Sequence, residues 1–528
     1  GRLGWGRSGR KGMRGRILFL GLMMILLSGG VIGCAADKEE TVPDTRMKIT
    51  IGVWDAEKAL AGDPVLAAIE ERFNVTFVPV NMTWNDYYEK IERWAATDSL
   101  PDLFVGDFRN SLHYFQWIQK GLLSAIPKDL SAYPYLQQYI AGLAEEELSL
   151  ADGEMYCIPR LTYPSQAWTS IDRIIAYRWD LAQAAGITEE PETWEEFQEM
   201  MLAIIREDPE GTGIQGLTSG SLDQVSGLLL PYASSIAVAD GTQFFWKLDG
   251  DGLYRPVYFT DDLIPAFQLG RELYASGVIE QDAVMQTVNS SQDKFLRGES
   301  AALLYSGGFG GVYGSLGIPW EEYHGRDFLE DVKALGLMQD KNGNKAYPIW
   351  GYAWSESYIS AKVDDEKRDR ILQIYDYLLS DEGAFLGTYG PEGDLYEVVG
   401  GRVEMHDPEV YVAGKYPSCG VFATLVRWDS SLYDERFPDT TPSAYKERNL
   451  ELMREAETAP IPVYEPRCNS IMKEAQIDFT IQVGGDFVRI MTGSEPVEEM
   501  WEEIRQEYEE AGLEDVIRIV NERMREEP

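Results

Sequence analysis

The chain has 528 residues, with 47 Lys and Arg against 88 Asp and Glu, for a formal net charge of −41. A surface this acidic repels nucleic acid and anionic lipid, which excludes roles that need a basic face but leaves room for an anionic ligand in a local basic pocket. The length exceeds what one hydrophobic core supports, so two domains are expected.

The first predicted element is a leader. Arg14 and Arg16 precede an apolar run from Ile17 to Gly33 that ends at Cys34. The run is too short for a membrane span and reads as a signal peptide over 1–33, whose ordinary length puts its start at Met13. Val31-Ile32-Gly33-Cys34 resembles the lipobox of bacterial lipoproteins. That resemblance implies cleavage before Cys34, a lipid on its thiol, and a protein held extracytoplasmically on the outer face of the cell membrane. An uncleaved signal anchor is the alternative and places the bulk of the chain on the same side. Six cations and no acid precede Cys34, leaving 41 cations against 88 acids in the remainder, a net charge of −47. Residues 34–45 are polar and read as a flexible tether. Cys157, Cys419 and Cys468 are left, enough for one disulfide or for three buried free thiols.

Order is expected to begin at Met47–Trp54, which alternates and is rich in β-formers. Asp63-Pro64 supplies a cap and a first-turn proline for a helix with Val65, Leu66, Ile69 and Phe73 on one face. A β run from Val75 to Val80 follows, then a helix over about 86–96 and a short strand within Leu100–Val105. Strand, helix, strand within 30 residues predicts a βαβ unit and a parallel sheet covered by helices. Thr193 and Glu196 form a capping box ahead of Phe197, Met200, Met201 and Ile204. Near the end, Pro496 opens a helix bearing Val497, Met500, Trp501, Ile504 and Tyr508, stopped by Gly512.

Four stretches in fixed order resemble the extracellular solute-binding proteins, family 1, of bacterial ABC importers, in particular the large oligosaccharide-binding lipoprotein branch. They are the opening βαβ unit ending in Leu100-Pro101-Asp102-Leu103-Phe104; Asp152 to Pro159 with Ile174 to Asp180; Phe295 to Ala302 with the glycine-aromatic segment Tyr305 to Tyr313; and Ile371 to Gly383 with Tyr389 to Tyr396. The resemblance implies an α/β fold of the periplasmic-binding-protein type II, two lobes with a hinge and a ligand cleft between them. Lobe 1 is expected to hold 46–157 plus 283–345 and lobe 2 to hold 158–282 plus 346–528. It further implies a monomer that takes a carbohydrate ligand, closes on it, and is read by the transmembrane subunits of an ABC permease, with no cofactor.

Ligands in open α/β sheets sit at the carboxyl ends of the strands, so the candidates are taken from those loops. Trp54 and Asp55 end the first strand. Asp107 and Arg109 follow the third, where the sugar binders that this chain resembles carry an acid and a base. Arg160, Tyr163 and Trp168 lie near the first hinge crossing. Phe309 stands between glycines where relatives often place a stacking tryptophan. Trp350, Tyr352, Trp354 and Glu356 lie beside the return strand expected for the second lobe, and the alternation of the three aromatics puts three rings on one strand face. For each aromatic, a place in the core is the competing reading.

The resemblance also implies a calcium loop in the second lobe. The matching stretch, Asp208 to Ile214, offers Asp208, Glu210 and Thr212 but no oxygen-bearing side chain at Ile214, so it reads as degenerate and no metal is expected. The three histidines, His113, His324 and His406, are far apart in sequence, which gives zinc-hydrolase and Ser-His-Asp chemistry little support. Gly307–Gly314 lacks the following Lys-Ser/Thr of a phosphate loop. The expectation is a binding protein and not an enzyme. The alternatives are a surface-anchored polysaccharide-degrading enzyme, because carboxylate pairs are too abundant to count, and a ligand sensor for a membrane receptor.

Overall fold

The computed structural model describes residues 46–526 apart from 110, 144–152, 164–166, 221, 234–245, 349–352, 409, 428–433, 439–441 and 460–463. The strands that build its two main sheets are β1 (Met47–Trp54), β2 (Val75–Met82), β3 (Leu103–Gly106), β4 (Ile158–Leu161), β5 (Arg173–Arg178), β6 (Gln215–Ser219), β7 (Ser300–Ser306), β8 (Val332–Ala334) and β9 (Ala353–Ile359). One sheet runs β2-β1-β3-β9-β4 and the other β8-β5-β7-β6.

The first sheet starts as the predicted βαβ unit. Asp63 accepts hydrogen bonds from the amides of Val65 and Leu66, both at 2.9 Å, and so caps helix α1 (Pro64–Phe73). Such a cap contributes about 1 kcal/mol. Asn74 ends the helix in the left-handed conformation and delivers the chain into β2, which pairs in parallel with β1 from Met47↔Val75 to Trp54↔Met82. β3 joins the other side of β1 in parallel, and β9 then enters antiparallel between β3 and β4. Ile49, Ile51, Phe104, Tyr358 and Phe422 fall in one buried core. In the second sheet, β5 and β7 run antiparallel while β6 and β7 run parallel. Alternate residues of β5 serve two cores: Ile175 and Tyr177 face one, Ile174 and Ala176 the other. The capping box forms as expected on helix α2 (Trp194–Glu207), with Glu196 N donating to Thr193 Oγ1 and Thr193 N donating to Glu196 Oε2.

The sheets divide the chain differently from the expected lobe boundaries in three stretches. Residues 283–345, assigned above to lobe 1, contain β7 and β8, which complete the second sheet. Residues 346–426, assigned to lobe 2, contain β9 and helix α3 (Asp365–Leu379), whose Ile371, Leu372 and Tyr375 pack into the first core. β4 also belongs to the first sheet. The physical reason is strand satisfaction: β9 supplies hydrogen-bond partners to β3 and β4 on its two edges at once. The chain therefore passes between the sheets within 161–173, 334–353 and 426–443. Helix α4 (Ser443–Thr458) and helix α5 (Val497–Glu510) return to the second lobe, where Met453, Trp501 and Ile504 are buried. Cys157, Cys419 and Cys468 are free and buried.

Candidate functional site

β1, β3 and β4 end, and β9 begins, on one edge of the first sheet, the edge from which the chain leaves for the second lobe at 161 and from which it returns at 353. Three indoles gather there. Trp54, the last residue of β1, stacks on Trp84 with ring centroids 4.2 Å apart and planes within 6°. Trp354, the second residue of β9, lies 6.0 Å from Trp54 and 6.1 Å from Trp84, tilted by 12° and 16°. Tyr87 meets Trp54 edge-on at 5.4 Å. Trp54 is 7 % exposed, whereas Trp84 is 54 % exposed, so the inner ring is scaffold and the outer ring a free apolar face.

Polar groups stand beside these rings. Tyr88 Oη donates to Asp107 Oδ2 at 2.9 Å, and the Tyr88 ring meets Phe108 edge-on. The Arg160 guanidinium lies 5.7 Å from the Trp354 ring centre and donates through Nη1 to the Thr424 carbonyl at 2.8 Å. Burial lowers the Arg160 pKa to about 10. Beneath the edge, Glu356 is buried opposite Gly106. Its oxygens accept from Phe108 N at 3.3 Å, Arg109 Nε at 3.3 Å and Tyr358 Oη at 2.7 Å. Burial raises the Glu356 pKa and the Arg109 charge opposes that rise. The pair thus ties the loop after β3 to β9.

The bend that presents Trp354 has a visible cause. Ser355 is fully buried with φ 62°, and the β9–β4 register slips between Ala353 and Glu356. A bulge of this kind breaks strand alternation and re-aims the neighbouring side chain.

Of the residues singled out in the sequence, the structure brings together Trp54, Asp107, Arg109, Arg160, Trp354 and Glu356. Asp55 is exposed, in the left-handed conformation at φ 53°, where the chain leaves β1. Tyr163 and Trp168 pack with the second lobe, Tyr163 Oη on Asp172 at 2.5 Å and Trp168 Nε1 on Glu457 at 2.7 Å. Phe309 opens the helical turn after β7, its side chain outside the described set. Cys34, Trp350 and Tyr352 also lie outside the described residues. Trp84, Tyr87 and Tyr88 were missed. Their signal was available, since Trp84-Asn85-Asp86-Tyr87-Tyr88 follows the carboxyl end of β2, the kind of loop searched after β1 and β3.

The calcium-like loop is engaged internally. Asp208 ends α2 at φ 38° and its carboxylate accepts the amides of Thr212 at 3.1 Å and Gly213 at 2.9 Å, which hold its pKa below the ordinary value. Glu210 pairs with Arg178 at 3.0 Å. Among the described residues no group of three or more His, Cys, Asp or Glu is arranged to hold a metal ion, and none of the helices is long and apolar enough to cross a membrane.

Two α/β lobes linked by three crossings, with an aromatic cluster on the edge of one of them from which the chain crosses to the other, are an architecture of the periplasmic-binding-protein type. Residues 58–384 match the model of the bacterial extracellular solute-binding proteins, and the chain belongs to that family. Among curated proteins it is similar to the lipoprotein LipO of Bacillus subtilis (strain 168), 22% identical over 404 residues that cover 74% of this chain and 75% of the relative. Among solved structures it is similar to the alginate-binding protein AlgQ2 without calcium ion (TM-score 0.65, 14% identity, 90% of this chain and 97% of that one). It is also similar to the ABC-transporter substrate-binding protein FusA of S. pneumoniae in complex with kestose (TM-score 0.65, 16% identity, 90% and 98%). A third is an HMO-binding, ABC-transporter-associated solute-binding protein of Bifidobacterium longum infantis (TM-score 0.63, 15% identity, 90% and 98%). The family and these neighbours are binding proteins and not enzymes.

Proposed function

We propose that this protein captures a carbohydrate, in particular an oligosaccharide, between its lobes and delivers it to an ABC permease while a lipid on Cys34 holds it at the outer face of the membrane. The observation that carries the reading is the half-exposed Trp84 ring, backed by Trp54 and flanked by Trp354, on the edge of the first sheet from which the chain crosses to the second lobe. A pyranose or furanose ring has C–H faces that lie on indoles and hydroxyl edges that need in-plane partners. Trp84 and Trp354 supply the first, and Asp107, with Tyr88 beside it, supplies the second. Contacts made by the second lobe only on closure then favour the closed state over the open one.

Glu356 is not placed to act as the general acid of a polysaccharide hydrolase. A general acid has to reach a glycosidic oxygen, whereas Glu356 is buried and spends its oxygens on Phe108, Arg109 and Tyr358. Thermal-shift screening of residues 35–528 against fructo-, malto-, algino- and human-milk oligosaccharides tests the proposal. At least one series is expected to raise the melting temperature without being consumed. Hydrolysis of the stabilising sugar, or stabilisation by amino acids or peptides alone, would refute it.

A further inference from the structure

The stretch that resembles a calcium loop does not fit a calcium ion, and the reason points to another residue. Calcium needs six to eight oxygens at about 2.3–2.6 Å. Here the Asp208 oxygens face the Thr212 and Gly213 amides, and Ile214 contributes no oxygen-bearing side chain. The remaining loop carboxylate, Glu210, already has a cation. Arg178, at the end of β5, is 0 % exposed. It grips Asp180 through Nε at 2.8 Å and Nη2 at 2.7 Å, and Glu210 through Nη2 at 3.0 Å. Its guanidinium lies 5.1 Å from the centre of the Trp320 ring.

We infer that Arg178 is the built-in cation that orders the 208–214 loop through Glu210, so that this loop is independent of calcium. The network around it extends to the neighbouring helices. Trp320 Nε1 donates to Asp331 at 2.9 Å, and Arg326 pairs with Asp331 at 3.2 Å and reaches Glu210 at 3.8 Å. Arg178 itself pairs across β5–β8 with Val332. One buried guanidinium therefore joins the end of β5, the loop ahead of β6 and the helical segments ahead of β8. A planar fork suits this task because it bonds two carboxylates in fixed directions and keeps its charge at every physiological pH. The role of Arg178 does not depend on what the cleft binds.

The test is hydrogen exchange of the 208–214 amides in residues 35–528, measured in chelator and in millimolar calcium chloride. The wild type is expected to exchange at the same rate in both. Arg178→Met is expected to exchange there about tenfold faster or more, the factor set by losing one charge-assisted hydrogen bond, in both buffers. Glu210→Gln keeps the loop length and Arg178, and serves if Arg178→Met does not fold. It should also accelerate exchange in the loop in both buffers. Slower exchange of the wild-type loop in calcium than in chelator would overturn the inference. Native protection of the loop in the variants would overturn it as well.

Discussion

Replacing Trp84 by Ala separates a binding surface from a piece of core. Trp84 keeps 54 % of its surface in water. A tryptophan presents up to about 250 Å², so a sugar lying on the free half would remove on the order of 100 Å² of apolar surface from water. At about 25 cal/mol per Å² that contact is worth roughly 2.5 kcal/mol, or nearly two decades in Kd. The cost to the free protein is smaller, because the ring gives up chiefly its stacking on Trp54, worth about 0.5–1.5 kcal/mol. Trp54→Ala inverts the balance: that ring is 7 % exposed, and its loss should cost about 3–5 kcal/mol of stability. Urea unfolding and titration calorimetry with the stabilising sugar measure both quantities on both variants. Native affinity in Trp84→Ala would show that the ring is no part of the binding surface. A stability loss in Trp84→Ala as large as that of Trp54→Ala would show instead that the ring is core.

Three further outcomes are expected. Cys34→Ser should release the protein from membranes with its melting temperature unchanged, and retention in the membrane fraction with no lipid adduct in the wild-type mass spectrum would contradict the anchor. Ser355→Gly should stabilise the protein by up to about 1 kcal/mol in urea, because a serine held at φ 62° is strained where glycine is not; a loss of stability would show that the buried hydroxyl matters more than the backbone. Asp486, buried and bonded to Tyr258 at 2.9 Å and Tyr508 at 2.7 Å, has its pKa raised by burial above 3.8. A carboxyl raised in the folded state is protonated in both states at low pH and costs stability as pH climbs from its unfolded pKa through its folded one. The stability of Asp486→Asn relative to wild type should therefore improve as pH rises above the ordinary aspartate range, and a difference that does not change with pH would contradict the assignment.

What could be read from the sequence was local. The opening βαβ unit, the Asp63 cap and the Thr193–Glu196 box are specified by residues a few positions apart, and they form where expected. The placement of β7 and β9 was not legible. A short run of apolar residues says that a strand is buried, while the sheet it joins depends on edges formed by residues 125 to 256 positions away. The site divided along the same line. Trp54, Asp107 and Trp354 sit at strand ends and could be picked out. Trp84 needed the fold to show that the loop after β2 swings its ring onto Trp54, and Tyr163 and Trp168 needed it to show that their polar atoms are held by Asp172 and Glu457. The bulge at Ser355 is likewise a product of pairing on both edges of β9, with no local signal in the sequence.

Small-angle scattering of residues 35–528 with and without the stabilising oligosaccharide tests most directly whether the lobes close on a sugar held by the indole face. A smaller radius of gyration is expected for the wild type at a ligand concentration just sufficient to saturate it, with a clearly smaller decrease for Trp84→Ala at the same ligand concentration. An unchanged radius in the saturated wild type would contradict capture by closure.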